Sequence, residues 1–310
     1  MEVYKYTYTD EVDLTPSVIA LGFFDGVHIA HRDLILAARE AADERDMPLG
    51  IFTFDGDIKS GVPKIYSQAE KLKIFEQLGA DFVVLADFAS IKNLTPEEFV
   101  SRVLCKDLCA RIVVAGFNFR FGKSAMGDAR SLEILMKSMG GEAIIRQEIT
   151  SGDGKTVSST RIRELISKKD IKTANSLLGA PYFIRGRVST GNKKGRELGF
   201  PTINTPLEQN SIVPIGVFAS AVEIDGALYH AVTNVGRCPT LGARDIHAET
   251  HIIDYSGDLY GRELEIYLLG FLREEMHFDS VEELCRQVEE DKKRTVKENG
   301  ELSWQRLGLK

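Results

Sequence analysis

Two histidines, His28 and His31, stand three residues apart at the point where a short apolar run gives way to a predicted helix. Residues at this spacing share one helix face, so both imidazoles point to the same side. A helix N-terminus offers free N–H groups and positive potential to phosphate. Two imidazoles there can donate hydrogen bonds to a phosphate as charge builds during its transfer. Two incidental polar residues on a first turn would give the same spacing, so the pattern alone leaves both interpretations open.

A second cluster, SSTRIR at residues 158–163, opens another predicted helix. It places hydroxyls at the cap, among them Ser159 and Thr160, and arginines just inside it, among them Arg163. Hydroxyl and guanidinium groups in this arrangement suit a polyphosphate. An ordinary Ser/Thr cap with solvated arginines is the alternative for this cluster taken alone.

Three glycines at a spacing of four, Gly191, Gly195 and Gly199, lie in a segment that also carries lysines and an arginine. Such a loop lets its backbone N–H groups approach phosphates closely. Thr202 and Asn204 follow, and in an extended segment residues two apart face one side. Their oxygens are hard ligands suited to Mg²⁺. For the glycines alone, a flexible basic loop followed by a turn is an alternative.

Secondary-structure elements must position these candidate residues. The first half of the chain alternates short apolar runs with helical patterns. This alternation predicts βαβ units and a Rossmann-like parallel sheet. The predicted strands are Val18 to Leu21, Leu49 to Phe54, Phe82 to Leu85, Arg111 to Ala115 and Ala143 to Ile145. The predicted helices include Pro96 to Leu104, opened by Thr95 and Glu98 at capping-box spacing.

The pattern changes near residue 180, after which extended segments dominate. Asp225–Gly226 between two of them predicts a type I′ hairpin. Several short strands at this spacing predict a small antiparallel β-barrel. A helix opened by Ser280 and Glu283 closes it. We therefore expect an α/β domain over residues 1–180 and a barrel domain over residues 181–310.

The composition excludes several classes of protein. Hydrophobic residues make up 43% of the 310 residues, as in globular proteins, and the net charge of −7 argues against nucleic acid as a partner. The four cysteines form no CxxC pair, which predicts reduced thiols. The polar N-terminus does not resemble a signal peptide, and no apolar run approaches membrane-spanning length. We expect a cytoplasmic protein that does not bind membranes.

Three motifs in the first half resemble the N-terminal module of bacterial bifunctional riboflavin kinase/FAD synthetases. They are GFFDGVHIAH at 22–31, GFNFRFG at 116–122 and SSTRIR at 158–163. The resemblance implies a nucleotidyltransferase that transfers the adenylyl group of ATP to FMN. The residues that it assigns are the catalytic His28 and His31, the ATP-binding Gly22, Asp25, Gly26, Ser159, Thr160 and Arg163, and the flavin-binding Asn118.

The second half resembles the riboflavin kinase module of the same family, from about residue 182 to residue 294. Its motifs are GNKKGRELGFPTIN at 191–204, NVGRCPT at 234–240, ETHIID at 249–254, LYG at 259–261 and LRE at 272–274. The resemblance implies that Glu249 is the base facing the ribityl 5′-hydroxyl. Thr202 and Asn204 would hold Mg²⁺-ATP, the three glycines would bind ATP, and Arg273 would lie beside the flavin. His251 shares a strand face with Glu249 and either supports the site or is an ordinary packed histidine.

The sequence departs from the family pattern in two places. Ala30 replaces the glycine of the histidine signature, and residues 54–59 replace a Pro-His-Pro segment. The main expectation is an enzyme that converts riboflavin to FMN and FMN to FAD, with ATP and Mg²⁺. One alternative is a monofunctional riboflavin kinase with a degenerate adenylyltransferase domain. A second, a flavin-sensing regulator with a dead kinase, is disfavoured by the intact Thr202, Asn204 and Glu249.

Overall fold

The computed structural model describes residues 1–8, 10, 12, 14–56, 61–190, 195, 198–207, 211–237 and 246–303. The chain forms two compact units, 1–159 and 160–310. The first contains a parallel sheet with helices and the second a nearly closed antiparallel barrel with a final helix, so the predicted fold class is confirmed. No helix in the described part of the chain combines the length and hydropathy of a membrane span.

The first unit is built on six parallel strands. They are β1 (Glu2–Tyr6), β2 (Ser17–Leu21), β3 (Leu49–Phe54), β4 (Phe82–Ala86), β5 (Ala110–Gly116) and β6 (Glu142–Arg146). Their order in the sheet is β1-β4-β3-β2-β5-β6. The chain moves outward from β2 through β3 to β4, and then returns to place β5 on the other side of β2. The order therefore reverses between β2 and β5, and ligands bind at such a switch point, outside the carboxyl ends of the strands.

Helices connect these strands. In this unit they are α1 (Ile29–Asp43), α2 (Gln68–Gln77), α3 (Phe88–Ile91), α4 (Pro96–Glu98) and α5 (Ala129–Ser138). The predicted capping box is confirmed, since Thr95 Oγ1 accepts from the Glu98 amide at 3.1 Å and the Glu98 carboxylate accepts from the Thr95 amide at 2.8 Å. The helix that it opens continues as a π-helix over Phe99–Asp107.

Two helices, α6 (Ser159–Ser167) and α7 (Ile171–Leu178), precede the barrel. The barrel strands are β7 (Phe183–Arg187), β8 (Thr202–Pro206), β9 (Gly216–Ile224), β10 (Ala227–Arg237), β11 (Ile246–Ile252) and β12 (Glu263–Arg273). They pair antiparallel in the order β7-β12-β9-β10-β11-β8. Asp225 and Gly226 have φ angles of 51° and 83° between β9 and β10, as the predicted type I′ turn requires.

The barrel nearly closes where its two end strands meet. The amide of Ser189, just after β7, donates to the carbonyl of Asn204 in β8 at 2.8 Å. Gly186 permits this approach, because a Cβ there would lie 2.6 Å from the Thr205 side chain. The final helix, α8 (Val281–Asn299), packs against β9 and β10. Ser280 caps it as predicted, whereas the Glu283 carboxylate accepts from the Asp279 amide.

Candidate active sites

The loop between β2 and α1 has a strained backbone. Phe24 and Val27 have φ angles of 51° and 38°, in a region that costs a residue with a side chain about 1–3 kcal/mol. Both side chains are fully buried, so packing holds the loop in place. Gly26 has a φ of 84°, and a Cβ there would lie 2.7 Å from Ile65. Such strain is characteristic of functional loops, and this loop contains the predicted nucleotide-binding residues Gly22, Asp25 and Gly26.

His28 caps α1 and His31 lies in its first turn. Their rings stack with centroids 3.7 Å apart and planes at 14°, so the predicted shared face is confirmed. Burial lowers the pKa of His28 to about 4 and holds the pKa of His31 well below its usual value. Both rings are therefore neutral at pH 7. Within the described residues, Nδ1 of each ring is buried without a hydrogen-bond partner, which leaves two ring nitrogens for a ligand.

A lysine that sequence reasoning did not assign to the site lies beside these histidines. Lys71 of α2 is buried, and its Nζ lies 5.7 Å from the ring centroid of Phe23 in the strained loop. After burial and the neighbouring His28, the charge of Lys71 is a third cause of the lowered pKa of His31. The sequence shows only a lysine inside a predicted helix, and the fold is needed to show that it is buried and faces the β2–α1 loop.

The hydroxyl of Ser159 donates to the carbonyl oxygen of Asp25 at 2.5 Å. Asp25 is itself buried, and its carboxylate accepts from the Ile65 amide at 3.3 Å. Ser159, the last residue of the first unit, therefore contacts the strained loop. Thr160 and Arg163 lie on α6, the first exposed and the second half-buried.

Asn118 lies in the loop that follows β5 and is exposed. Because β2 and β5 are parallel neighbours, this loop and the β2–α1 loop leave the same edge of the sheet at the switch point. Arg146, which sequence reasoning missed, contacts both the loop after β5 and helix α1. Its carbonyl accepts from the Phe117 amide at 2.8 Å, and its guanidinium donates to both carboxylate oxygens of Asp33 in α1 at 2.8 Å.

The segment that replaces Pro-His-Pro follows β3, the other neighbour of β2. Asp55 forms an exposed ion pair with Lys5 at 3.5 Å. Gly56 has a φ of 76°, which proline cannot adopt. Residues 57–59 lie outside the described residues.

In the second unit, the predicted kinase residues meet on neighbouring strands. Asn204 of β8 lies directly opposite Glu249 of β11, and Thr202 lies opposite His251. Side chains of directly opposed residues share a face of the sheet, with Cβ atoms roughly 5 Å apart. Glu249 is exposed and Asn204 half-buried. The predicted base and the predicted magnesium ligands therefore occupy one face of two adjacent strands.

His251 lies on the same strand face, opposite Thr202. It is 9% exposed, and its Nδ1 lies 2.9 Å from the carbonyl oxygen of Pro201, immediately before Thr202. Since a carbonyl only accepts, Nδ1 carries the proton. Burial is the main cause that lowers the pKa of His251. Both interpretations left open by the sequence, support of the site and an ordinary packed histidine, are compatible with this contact at the start of β8.

Arg273, the predicted flavin residue, ends β12 and is held by α8. Its guanidinium donates to Asp291, with Nε 3.0 Å and Nη2 2.9 Å from Oδ2. A third nitrogen, Nη1, donates to the carbonyl of Glu274 at 3.1 Å, and the guanidinium carbon lies 5.7 Å from the Phe278 ring centroid. These contacts fix the plane of the guanidinium, as a group that stacks on or borders a flat ring system requires.

A cavity of about 390 Å³ opens beside Thr202. Its walls are mainly apolar and aromatic, and include Ile203, Ile252, Leu259, Tyr255 and Tyr260. This volume lies within the usual range for small-molecule sites. Of the predicted glycines, Gly195 accepts from the Phe200 amide at 2.9 Å and Gly199 has a φ of 84°. Gly191 lies outside the described residues.

The two halves match two protein-family models. Residues 10–161 match the model described as FAD synthetase, and residues 178–298 match the model described as riboflavin kinase. One solved structure, described as a macrolide-efflux protein from Streptococcus pneumoniae, is similar with a TM-score of 0.85 and 33% identity. That similarity covers 95% of this chain and 99% of the other.

Curated relatives are similar over nearly their whole length. The chain is 33% identical to a bifunctional riboflavin kinase/FMN adenylyltransferase of Bacillus subtilis, over 91% of this chain and 92% of the relative. It is 32% identical to proteins of the same description from Listeria monocytogenes, over 93% and 94%, and from Escherichia coli strain K12, over 88% and 90%. Both domain matches, in this order and over this length, show that the chain belongs to the bifunctional riboflavin kinase/FMN adenylyltransferase family.

Proposed function

We propose that this chain makes flavin cofactors in two steps. Its second unit phosphorylates riboflavin with ATP to give FMN and ADP. Its first unit then joins FMN to the AMP portion of ATP, giving FAD and releasing pyrophosphate. The observation that carries the first step is the placement of Asn204 and Thr202 on the same strand face as Glu249.

For the kinase, we assign Glu249 as the base. The ribityl 5′-hydroxyl is too weakly acidic to ionise beforehand, so the carboxylate orients it and accepts its proton as the new O–P bond forms. The hydroxyl oxygen attacks the γ-phosphorus of ATP, and ADP leaves. His251 keeps the start of β8 in position through Pro201.

A magnesium ion fits the donor set. Thr202 and Asn204 supply a hydroxyl and an amide oxygen, which Mg²⁺ accepts as hard ligands. The described residues contain no cluster of three or more His, Cys, Asp or Glu side chains that could hold a metal alone. The ion would therefore be bound largely by ATP phosphates, with two protein oxygens anchoring it. When bound, it neutralises phosphate charge.

For the adenylyltransferase, the FMN phosphate attacks the α-phosphorus of ATP and pyrophosphate leaves. No covalent enzyme intermediate is needed, so the protein contributes position and charge stabilisation. We assign the phosphate contacts to His28, His31, Ser159, Thr160 and Arg163. Gly22, Asp25 and Gly26 of the β2–α1 loop would contact ATP, and Asn118 would face the flavin.

A monofunctional kinase with a degenerate first domain is not favoured. The two histidines are stacked with unpartnered ring nitrogens in the described part of the chain, and Ser159 donates to Asp25 in the loop that precedes them.

We propose residues 1–180 and 181–310 as the limits of the two catalytic domains, with α7 bracing the second. Asn175 of α7 donates to the carbonyl of Leu268 and accepts from the Tyr182 amide, both at 2.8 Å.

We also propose a cytoplasmic location, since Cys105, Cys109 and Cys285 are free thiols.

One assay tests the function. Purified protein is incubated with riboflavin, ATP and Mg²⁺, and the flavin products are separated over time. We expect FMN and FAD, with ADP from the first reaction and pyrophosphate from the second. Absence of both FMN and FAD from a reaction started with riboflavin would exclude the kinase, and absence of FAD from added FMN would favour the monofunctional alternative.

A further inference from the structure

Glu249 has a second amide neighbour in the barrel. Asn234 of β10 lies directly opposite Glu249 on the side away from β8, just as Asn204 lies opposite it on the β8 side. The three residues therefore form one row across β8, β11 and β10, with strands roughly 4.8 Å apart. Sequence reasoning quoted Asn234 within a motif but gave it no role.

The row continues toward Arg273. Val217 of β9 pairs with Asn234 on one side and with Arg273 of β12 on the other. Asn234 therefore lies between Glu249 and the strand that carries Arg273. The proposed magnesium ligands Asn204 and Thr202 lie in β8, on the other side of β11 from Asn234. Glu249 thus lies between the proposed magnesium ligand Asn204 and Asn234.

The orientation of the Asn234 amide follows from its hydrogen bond to Glu275. Its nitrogen Nδ2 donates to the Glu275 carboxylate at 3.3 Å, and a carboxylate can only accept. The amide oxygen must therefore point away from Glu275. In the described part of the chain this oxygen is buried and has no hydrogen-bond donor. Buried polar atoms in proteins are nearly always paired, so an unpaired one beside a catalytic base indicates a ligand group.

We propose that Asn234 is a specificity-determining residue of the kinase site, and that its side-chain oxygen accepts a hydrogen bond from an inner hydroxyl of the ribityl chain. This inference rests on the proposed riboflavin kinase activity. The ribityl chain must place its terminal hydroxyl at Glu249. Its inner hydroxyls therefore lie next to the base. An acyclic polyol supplies O–H donors at this spacing, and the Asn234 oxygen needs a donor. Glu275 keeps the amide from rotating.

The test compares two flavins with two enzymes. Riboflavin is compared with a flavin whose side chain is a hydroxypentyl group, which keeps only the terminal hydroxyl. In the wild-type enzyme we expect kcat/KM to favour riboflavin. In Asn234→Ala we expect kcat/KM for riboflavin to fall about tenfold, the effect of one hydrogen bond, with the value for the hydroxypentyl flavin unchanged. The KM for ATP should stay within about twofold, because the proposed nucleotide contacts are in β8, on the other side of Glu249.

Further variants separate this role from a structural one. In Glu275→Gln the new side-chain amide can still accept a hydrogen bond from Asn234, although it can also donate one. This variant should therefore reduce the preference for riboflavin over the hydroxypentyl flavin less than Asn234→Ala does. Asn299→Ala, a matched amide deletion in α8, should leave the discrimination at the wild-type value. Adenylylation of added FMN shows whether the first unit is equally active in each preparation.

If Asn234→Ala lowers turnover of both flavins equally, the residue is structural and the proposal is wrong. The proposal is also wrong if the variant folds and discriminates like the wild type. If the wild-type enzyme phosphorylates neither flavin, the proposed kinase function itself fails, and that result is distinct from a failure of the Asn234 assignment.

Discussion

Arg273 at the end of β12 and Asp291 of α8 form a buried ion pair in which Nη2 lies 2.9 Å from Oδ2. The Asp291 side chain is only 5% exposed. Breaking such a pair from one side leaves an uncompensated buried charge, which costs about 3–5 kcal/mol. The pair therefore anchors α8 while it orients the proposed flavin residue.

Asp291→Ala should destabilise the barrel by about 3–5 kcal/mol and raise the KM for riboflavin, because Arg273 loses its orientation. Urea unfolding followed by circular dichroism measures the first effect and steady-state kinetics the second. The control is Glu289→Ala, which removes an exposed carboxylate of the same helix and should change neither. An unchanged unfolding midpoint for Asp291→Ala would show that the pair is not structural.

Glu249→Gln should remove most FMN formation, by about a hundredfold or more, because general-base catalysis is typically worth 10²–10⁴. Adenylylation of added FMN should be unchanged, since that reaction is proposed for the other unit. Glu263→Gln, which alters an exposed carboxylate of β12, serves as the control. A kinase loss below about tenfold contradicts the assignment of the base.

Asn204→Ala should raise the KM for Mg²⁺-ATP more than it changes riboflavin binding, because the residue is proposed to anchor the metal–nucleotide complex. Raising the Mg²⁺ concentration should recover part of the lost activity. Kinetics with each substrate varied in turn distinguish the two effects. Collapse of riboflavin affinity with normal nucleotide binding would show that the metal role is misassigned.

The His28 ring should titrate with a pKa near 4 in the free protein, because burial disfavours its charged form. The unfolded state then binds more protons than the folded state between about pH 4 and 6.5, so stability falls as pH drops through this window. For one such group the loss below pH 4 is about 3 kcal/mol. Histidine ring NMR of the wild type, assigned with His28→Gln, measures the pKa. A value near 6.5 would show that the ring is solvated.

FMN should accumulate before FAD in a time course that starts from riboflavin. Two prolines restrict a loop before binding, whereas Gly56 frees it, and Asp55 and Asp57 add negative charge to the segment that replaces Pro-His-Pro. We expect adenylylation to be slower than phosphorylation by about tenfold, or roughly 1.4 kcal/mol of barrier. Early FAD without FMN build-up contradicts this expectation.

The sequence predicted most of the first unit because its central strands are buried on both faces and appear as apolar runs. It missed β1 (Glu2–Tyr6), a polar edge strand that pairs with β4 and has no such run. It also missed the π-helix at Phe99–Asp107, since the apolar spacing alone indicated an ordinary helix.

The site was predictable where residues close in sequence act together, as with His28 and His31, or Thr202 and Asn204. It was not predictable where strands bring distant residues into one row. Asn234 and Glu249 become neighbours only through the register of β10 and β11, and no local pattern encodes that register. The role of Arg146 likewise depends on a contact with Asp33 over a hundred positions away in the chain.

The close approach of β7 and β8 at Gly186 has a consequence for solubility. Strands whose edge N–H and C=O groups become exposed are templates for pairing with another chain. Gly186→Val would force a side chain against Thr205 and the Pro206 carbonyl, and so separate the two end strands. The variant would then present two free β-edges, and we expect it to aggregate on mild heating while its parallel-sheet unit is still folded.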